Sequence, residues 1–215
     1  TNVLFQHNEA RLYGGGFGGT LSGHTMISLS NVSFENNTAL YGGAALQFSG
    51  YHSNRTNITL NNCSFHNHSS TSILDISTPR LSLNWIDSVV TENEGQLARV
   101  TCSKELYVNI TGCEFVRNVG LHATSGMDLR ALSSTGSITI ADSLFEDNTG
   151  SSTTIFNVDI SDGEFQLQVT NSTFRNNSAE NAGGVAGLRV AAHGVLTASF
   201  SQSQFLDQYA IRGGV

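Results

Sequence analysis

Residues 31–45 read N-V-S-F-E-N-N-T-A-L-Y-G-G-A-A, and this stretch returns in altered form along the whole chain of 215 residues. With Phe34 as origin, its counterparts are Phe5, Phe65, Val90, Phe115, Phe145, Phe174 and Phe205, spaced by 25 to 31 residues. A fixed period of that size is the mark of a repeat architecture. Three residues after each anchor comes a column of Asn8, Asn37, His68, Asn93, Asn118, Asn148, Asn177 and Gln208. Two residues further on, Ala10, Ala39, Ser70, Gly95, Gly120, Gly150, Ala179 and Ala210 are all small, which predicts close packing there.

The residues before the anchor decide the strand assignment. Seven upstream stand Ile27, Ile58, Leu83, Val108, Ile138, Leu167 and Ala198; five upstream stand Leu29, Leu60, Trp85, Ile110, Ile140, Val169 and Phe200. The residue between them is polar in every repeat, from Ser28 to Ser199. Period-2 alternation of this kind describes a strand with one face buried and one wet. Three upstream, Asn2, Asn31, Asn62, Asp87, Gly112, Asp142, Asn171 and Gln202 suit a corner, because Asn, Asp and Gly tolerate left-handed backbone. Two upstream, Val3, Val32, Cys63, Ser88, Cys113, Ser143, Ser172 and Ser203 share the anchor's inward face.

A third strand in each repeat is expected at Tyr13-Gly14-Gly15, Tyr41-Gly42-Gly43, Ala182-Gly183-Gly184 and Arg212-Gly213-Gly214, or at Ile73 to Ile76, Leu97 to Val100 and Ile155 to Ile160. Loops are expected at 20–25, 49–57, 77–82, 102–105, 133–137, 161–163 and 191–194. Three short strands per repeat and no helical stretch predict a single all-β domain over residues 1–215: a parallel β-helix of about eight coils, each strand pairing with its equivalent one repeat away. At ~4.8 Å per coil the rod is about 35 Å long. Stacked Asn side chains bond along such an axis; the pattern leaves open which Asn column is the internal one. The fourth coil, with Val90 in place of an aromatic, is expected to pack most weakly.

Bulk composition narrows the function classes. Only 13% of residues are charged, the net charge is -7, and Lys104 is the single lysine. That excludes the basic face that nucleic acid requires. No stretch is apolar for long enough to form a spanning helix. Neither terminus carries a polar cap, a Pro or a Lys. The chain therefore reads as a segment of a longer protein, its end strands at Asn2 to Phe5 and at Gly213-Gly214 covered by further coils or by neighbouring copies stacked end to end.

Phe5-Gln6-His7-Asn8, Phe34-Glu35-Asn36-Asn37, Phe115-Val116-Arg117-Asn118, Phe145-Glu146-Asp147-Asn148 and Phe174-Arg175-Asn176-Asn177 alternate with Gly42-Gly43-Ala44-Ala45 and Gly183-Gly184-Val185-Ala186. This pattern resembles the F-x-x-N and G-G-A-I repeats of the polymorphic outer membrane proteins of chlamydiae; similar repeats occur in large surface proteins of algae and protists. The resemblance implies a right-handed parallel β-helix and an adhesive role at the cell surface. Two features depart from it. Ala holds the fourth tetrapeptide position where that family has Ile, and no translocator barrel follows.

Nine N-x-S/T sequons begin at Asn31, Asn36, Asn54, Asn57, Asn62, Asn67, Asn109, Asn171 and Asn176, where about four are expected from composition. Asn54, Asn57 and Asn109 are expected in a loop or on an outward strand position and accessible to glycosylation, with Asn36, Asn67 and Asn176 as further candidates. Asn31, Asn62 and Asn171 are expected to be withheld by corner stacking. Occupied sequons imply a eukaryotic secretory route and an extracellular or cell-surface location, with glycans or cell-surface proteins as partners. Cys63 and Cys113 stand two coils apart, too far for a disulfide, and Cys102 meets Cys113 only if the fourth loop folds back.

Parallel β-helices also carry pectate lyases and polygalacturonases, so catalysis has to be weighed. Trp85-Ile86-Asp87 matches part of a lyase W-I-D-H motif, but Ser88 stands at the His position. Asp128 and Asp159, with Asp75 further along, are the carboxylates expected on one face. His66 and His68 are a two-imidazole group short of a third metal ligand. No cofactor, metal or catalytic motif is complete. The sequence thus favours a structural, extracellular glycoprotein segment, with a carbohydrate-active enzyme as the alternative.

Overall fold

A computed structural model describes residues 2–120, 126–132, 135–152 and 155–212. The Gly213-Gly214 end and part of the loop at 133–137 lie outside the described residues. Every strand pairing is parallel, and no helix is present among the described residues. The chain is a β-solenoid with eight anchor strands, from Val3–Gln6 to Gln204–Leu206, stacked in sequence order as one sheet of about seven turns. The anchors are in exact axial register, Phe5 on Phe34, Phe34 on Phe65, and so on to Phe174 on Phe205.

The two upstream apolar columns form the first face of each coil, and the anchor sheet is the second. Arg80–Ile86 and Glu105–Thr111 alternate buried and solvent-facing residues as the period-2 pattern requires. Leu60, Trp85, Ile110, Ile140 and Val169 stack in one buried row, Ile58, Leu83, Val108, Ile138 and Leu167 in another. A third face stacks Leu46, Leu74, Ala98, Met127 and Phe156, all buried. These rows enclose a single apolar core. Burial is driven by the apolar area taken from water, roughly 25 cal/mol per Å².

The three-strand reading is corrected in two respects. The first and third faces belong to one 16-stranded sheet, because Phe17–Ser30, Leu46–Asn61, Phe156–Thr170 and Ala186–Ser201 run through both without a break. The polar stretches expected as loops at 20–25, 49–57, 161–163 and 191–194 are therefore continuous strand. Their small polar residues let the strand bend while neighbouring coils keep its backbone groups paired. Between Ser77 and Arg80, and again between Cys102 and Glu105, the connections are short; Cys102 itself ends a strand and is buried. Likewise, Gly14-Gly15, Gly42-Gly43 and Gly183-Gly184 precede the third-face strand instead of forming it. Gly43 sits at φ 67° and Gly14 at φ 74°, in the turn that leads into Leu46 and Phe17.

The small column packs as closely as expected. A Cβ added at Gly95 would collide with the Ser70 carbonyl oxygen. The fourth coil is not a gap: Trp85, fully buried, turns its ring edge-on to Phe65 at 5.5 Å and Phe115 at 5.3 Å. It fills from the first face the space that Val90 leaves, so the aromatic column is continuous. Elsewhere the anchors stack nearly parallel, with centroids 4.7 to 5.1 Å apart.

Candidate functional site

The internal amide ladder is the column three residues after the anchor. Asn37, Asn93, Asn118, Asn148 and Asn177 are buried. Asn118 Nδ2 donates to Asn148 Oδ1 (3.0 Å) and to the Val90 carbonyl (2.9 Å), while the Asn118 backbone N–H also donates to Asn148 Oδ1 (3.0 Å). The same set recurs from Asn148 to Asn177. His68 takes this place in the third coil, its Nδ1 accepting the Asn37 backbone N–H at 3.0 Å. Burial, partly offset by backbone hydrogen bonding, lowers its pKa to about 4. His66 points the other way, to a half-exposed position 3.8 Å from Glu92, so the two imidazoles do not converge on one ion.

A hydroxyl ladder accompanies the amides two residues before the anchor. The backbone N–H of Cys63, Cys113 and Ser143 donates to the hydroxyl of Ser88, Ser143 and Ser172 respectively, one coil on. Ser143 and Ser172 return their protons to carbonyls two residues back, and Cys113 Sγ does the same towards the Thr111 carbonyl. Cys63 and Cys113 thus act as serine substitutes with no disulfide between them. Burial pushes the Cys113 thiol up to about 11 and the Cys102 thiol up to about 12, and raises that of Cys63, so each is held towards its protonated form.

The outward surface divides by face. Two columns of non-glycine residues adopt left-handed backbone, one three residues before the anchor and one two residues after it. They hold six sequon asparagines: Asn31, Asn62 and Asn171 in the first, Asn36, Asn67 and Asn176 in the second. The corner residues expected to be withheld are in fact exposed, whereas Asn57 and Asn109 are only half-exposed on the first face; Asn54 is exposed. A left-handed residue at a tight corner turns its side chain out of the coil, which leaves the corner column open alongside Asn54. Asn62 Nδ2 donates to Asn31 Oδ1 at 2.6 Å, and Asn171 Nδ2 to Asp142 Oδ1 at 2.6 Å, along the outer edge.

The third face and the Gly-Gly turn beside it carry no sequon. There the structure gathers opposite charges. Asp75, Arg99, Asp128 and Asn157 are register partners on successive coils, and Arg130, Asp159 and Arg189 form the next row. Arg99 donates to Asp75, which raises the guanidinium pKa further. Asp128 is 3% exposed and accepts from Arg130 (Nε, 3.2 Å) and from Asn157 Nδ2 (3.0 Å). Asp159 faces Arg130 and Arg189, so the carboxylates expected as neighbours are separated by guanidinium groups. Arg99, Asp128 and Arg130, with Ser70, Thr71 and Gln96, line a depression of about 230 Å³. The arginines were not legible as a column. Asp75, Arg99 and Asp128 stand 10, 9 and 13 residues after their anchors, because turn length varies between coils.

No match was found among protein-family models, curated proteins or solved structures.

Proposed function

We propose that this chain is a structural segment of an extracellular surface glycoprotein, a rigid β-solenoid that spaces or presents adhesive surface. The observation carrying the reading is the placement of the sequons. Six of nine lie in the two left-handed columns, and all six but the half-exposed Asn36 are exposed. A glycan there extends from the coil without disturbing the internal ladders. Neighbouring copies or further coils of the same chain, glycans and cell-surface proteins are its partners in this reading. Glycopeptide mapping after secretion from a eukaryotic host tests it. Occupancy at Asn31, Asn62, Asn67, Asn171 or Asn176 is expected; a secreted protein bare at all nine positions would overturn it.

The alternative, a carbohydrate-active enzyme, draws support from the converging Asp and Arg side chains of the third face. Asp75, Asp128 and Asp159 are each already bonded or faced by a guanidinium, which leaves no free pair for general acid and base work among the described residues of that face. Release of reducing ends from polysaccharide by the purified chain is the measurement that would favour it.

A further inference from the structure

We infer that the sequon-free groove beside the third face binds a neutral oligosaccharide without cleaving it. This inference deepens the surface-glycoprotein reading and rests on it for the role of the bare face. Two depressions meet at Ser70 and Thr71. The larger, about 700 Å³, is lined by Leu12 and Leu40 with Glu9, Arg11 and small residues; the smaller holds Gln96, Arg99, Asp128 and Arg130. Together they run from the first coil to the fifth, roughly 19 Å at ~4.8 Å per coil. That length suits a short linear ligand.

The chemistry of the walls selects its class. Glu9 is balanced by Arg11 in the larger depression, and Asp75 and Asp128 by Arg99 and Arg130 at the smaller. A groove without net charge has no preference for a polyanion or a cation. It offers instead fixed carboxylate acceptors and guanidinium and amide donors, the groups that bond vicinal hydroxyls. Tyr13 and Tyr41, each 50% exposed, lie beside it with ring centroids 6.0 Å apart, and pyranose C–H faces pack on such rings. Gly42 joins the two elements: Tyr13 bridges to its backbone, and a Cβ there would lie 2.8 Å from Asp75 Oδ2. Any side chain at Gly42 would crowd the Asp75–Arg99 pair. An extended peptide is the poorer fit, because it docks by adding to a sheet edge, and along the groove the strands from Thr38–Ala39 to Met127–Ala131 are paired on both sides, with an edge only at Glu9–Ala10.

The test uses the glycosylated chain on an array of defined oligosaccharides, with one arm of neutral plant and algal cell-wall fragments, one of N-glycans and one of uronate oligomers. Retention on a neutral arm is expected, and which of the two retains the chain separates a matrix source from a glycoprotein source. Tyr41→Ala and Gln96→Ala are expected to weaken binding at least tenfold, with Arg55→Ala on the first face unchanged and all three melting like the parent. Binding to none of the arrayed sugars, to uronates alone or to a displayed peptide library, or binding indifferent to Tyr41→Ala, overturns the inference. The two readings fail separately: a glycosylated chain that binds no sugar removes only this inference, and a bare chain that binds removes only the glycoprotein reading.

Discussion

Asn148 and Asn171 are the same residue, each bonded through its side chain to a neighbour one turn away, yet they stand in opposite environments. Asn148 is buried, and its amide closes hydrogen bonds that the Asn118 and Phe115 backbones would otherwise lack. Asn171 is exposed at φ 46°, and its value to the fold is backbone conformation. Repetition of Asn therefore has two separate causes here. One is the need to satisfy polar groups inside an apolar stack; the other is tolerance of left-handed backbone at a corner.

Substitution separates them. Asn148→Leu takes away the acceptor of the Asn118 N–H and of one Asn118 Nδ2 proton, and the side-chain donor to the Phe115 carbonyl, all in the core. At about 1–3 kcal/mol for each buried group, the loss should exceed ~4 kcal/mol in denaturant unfolding. An effect below 1 kcal/mol would show that water or a shifted coil replaces the amide.

His68 allows the interior column to be probed without mutation. Its folded pKa of about 4 lies below the ordinary 6.5, so the unfolded chain binds the proton more readily. Stability contributed by neutral His68 is complete above pH 6.5 and is lost as pH falls to 4, by roughly 3 kcal/mol in total. In His68→Asn that portion of the pH dependence should disappear. A parent and variant with parallel profiles would place the titration elsewhere.

The smallest effect belongs to the corner. Asn171→Gly should alter stability by less than ~0.5 kcal/mol, and Asn171→Ala should cost about 1 kcal/mol through its left-handed φ. Thermal melting of the pair decides it: equal destabilisation by both would mean that the bond to Asp142, and not the backbone, holds the corner.

The same contrast explains what the sequence disclosed. The apolar columns at fixed distances before Phe34 and its equivalents were legible because strand and corner keep constant length there. Beyond the small column the register drifts. The Gly-Gly stretch reads as strand in the sequence and is a turn in the structure, and the place of Arg99 between Asp75 and Asp128 has no signature in the spacing, since axial neighbours no longer share an offset from the anchor. Trp85 shows a different limit. Its place in an apolar column was plain, but that it closes the gap left by Val90 depends on side-chain direction, which spacing does not encode. Nor does spacing distinguish an inward Asn from an outward one; exposure of Asn31, Asn62 and Asn171 followed only from the left-handed turn they adopt.

The internal amide ladder has a direction. Asn8, Asn93, Asn118, Asn148 and Asn177 each donate to the residue one coil closer to the C-terminus, whereas the outer Asn62, Asn67 and Asn171 donate towards the N-terminus. Aligned amides polarise one another, so the interior and the rim form two antiparallel rows of dipoles, and the rod is electrically asymmetric along its length. Coils are therefore interchangeable only in one orientation and only as whole units. Excising residues 118–147 would bring Asn93 onto Asn148 with donor still facing acceptor, and a shortened rod with a cooperative melt is the expected product. Moving either cut by two residues would set a backbone turn against the ladder, and a chain that melted as well after that excision would show that the dipole row does not govern coil addition.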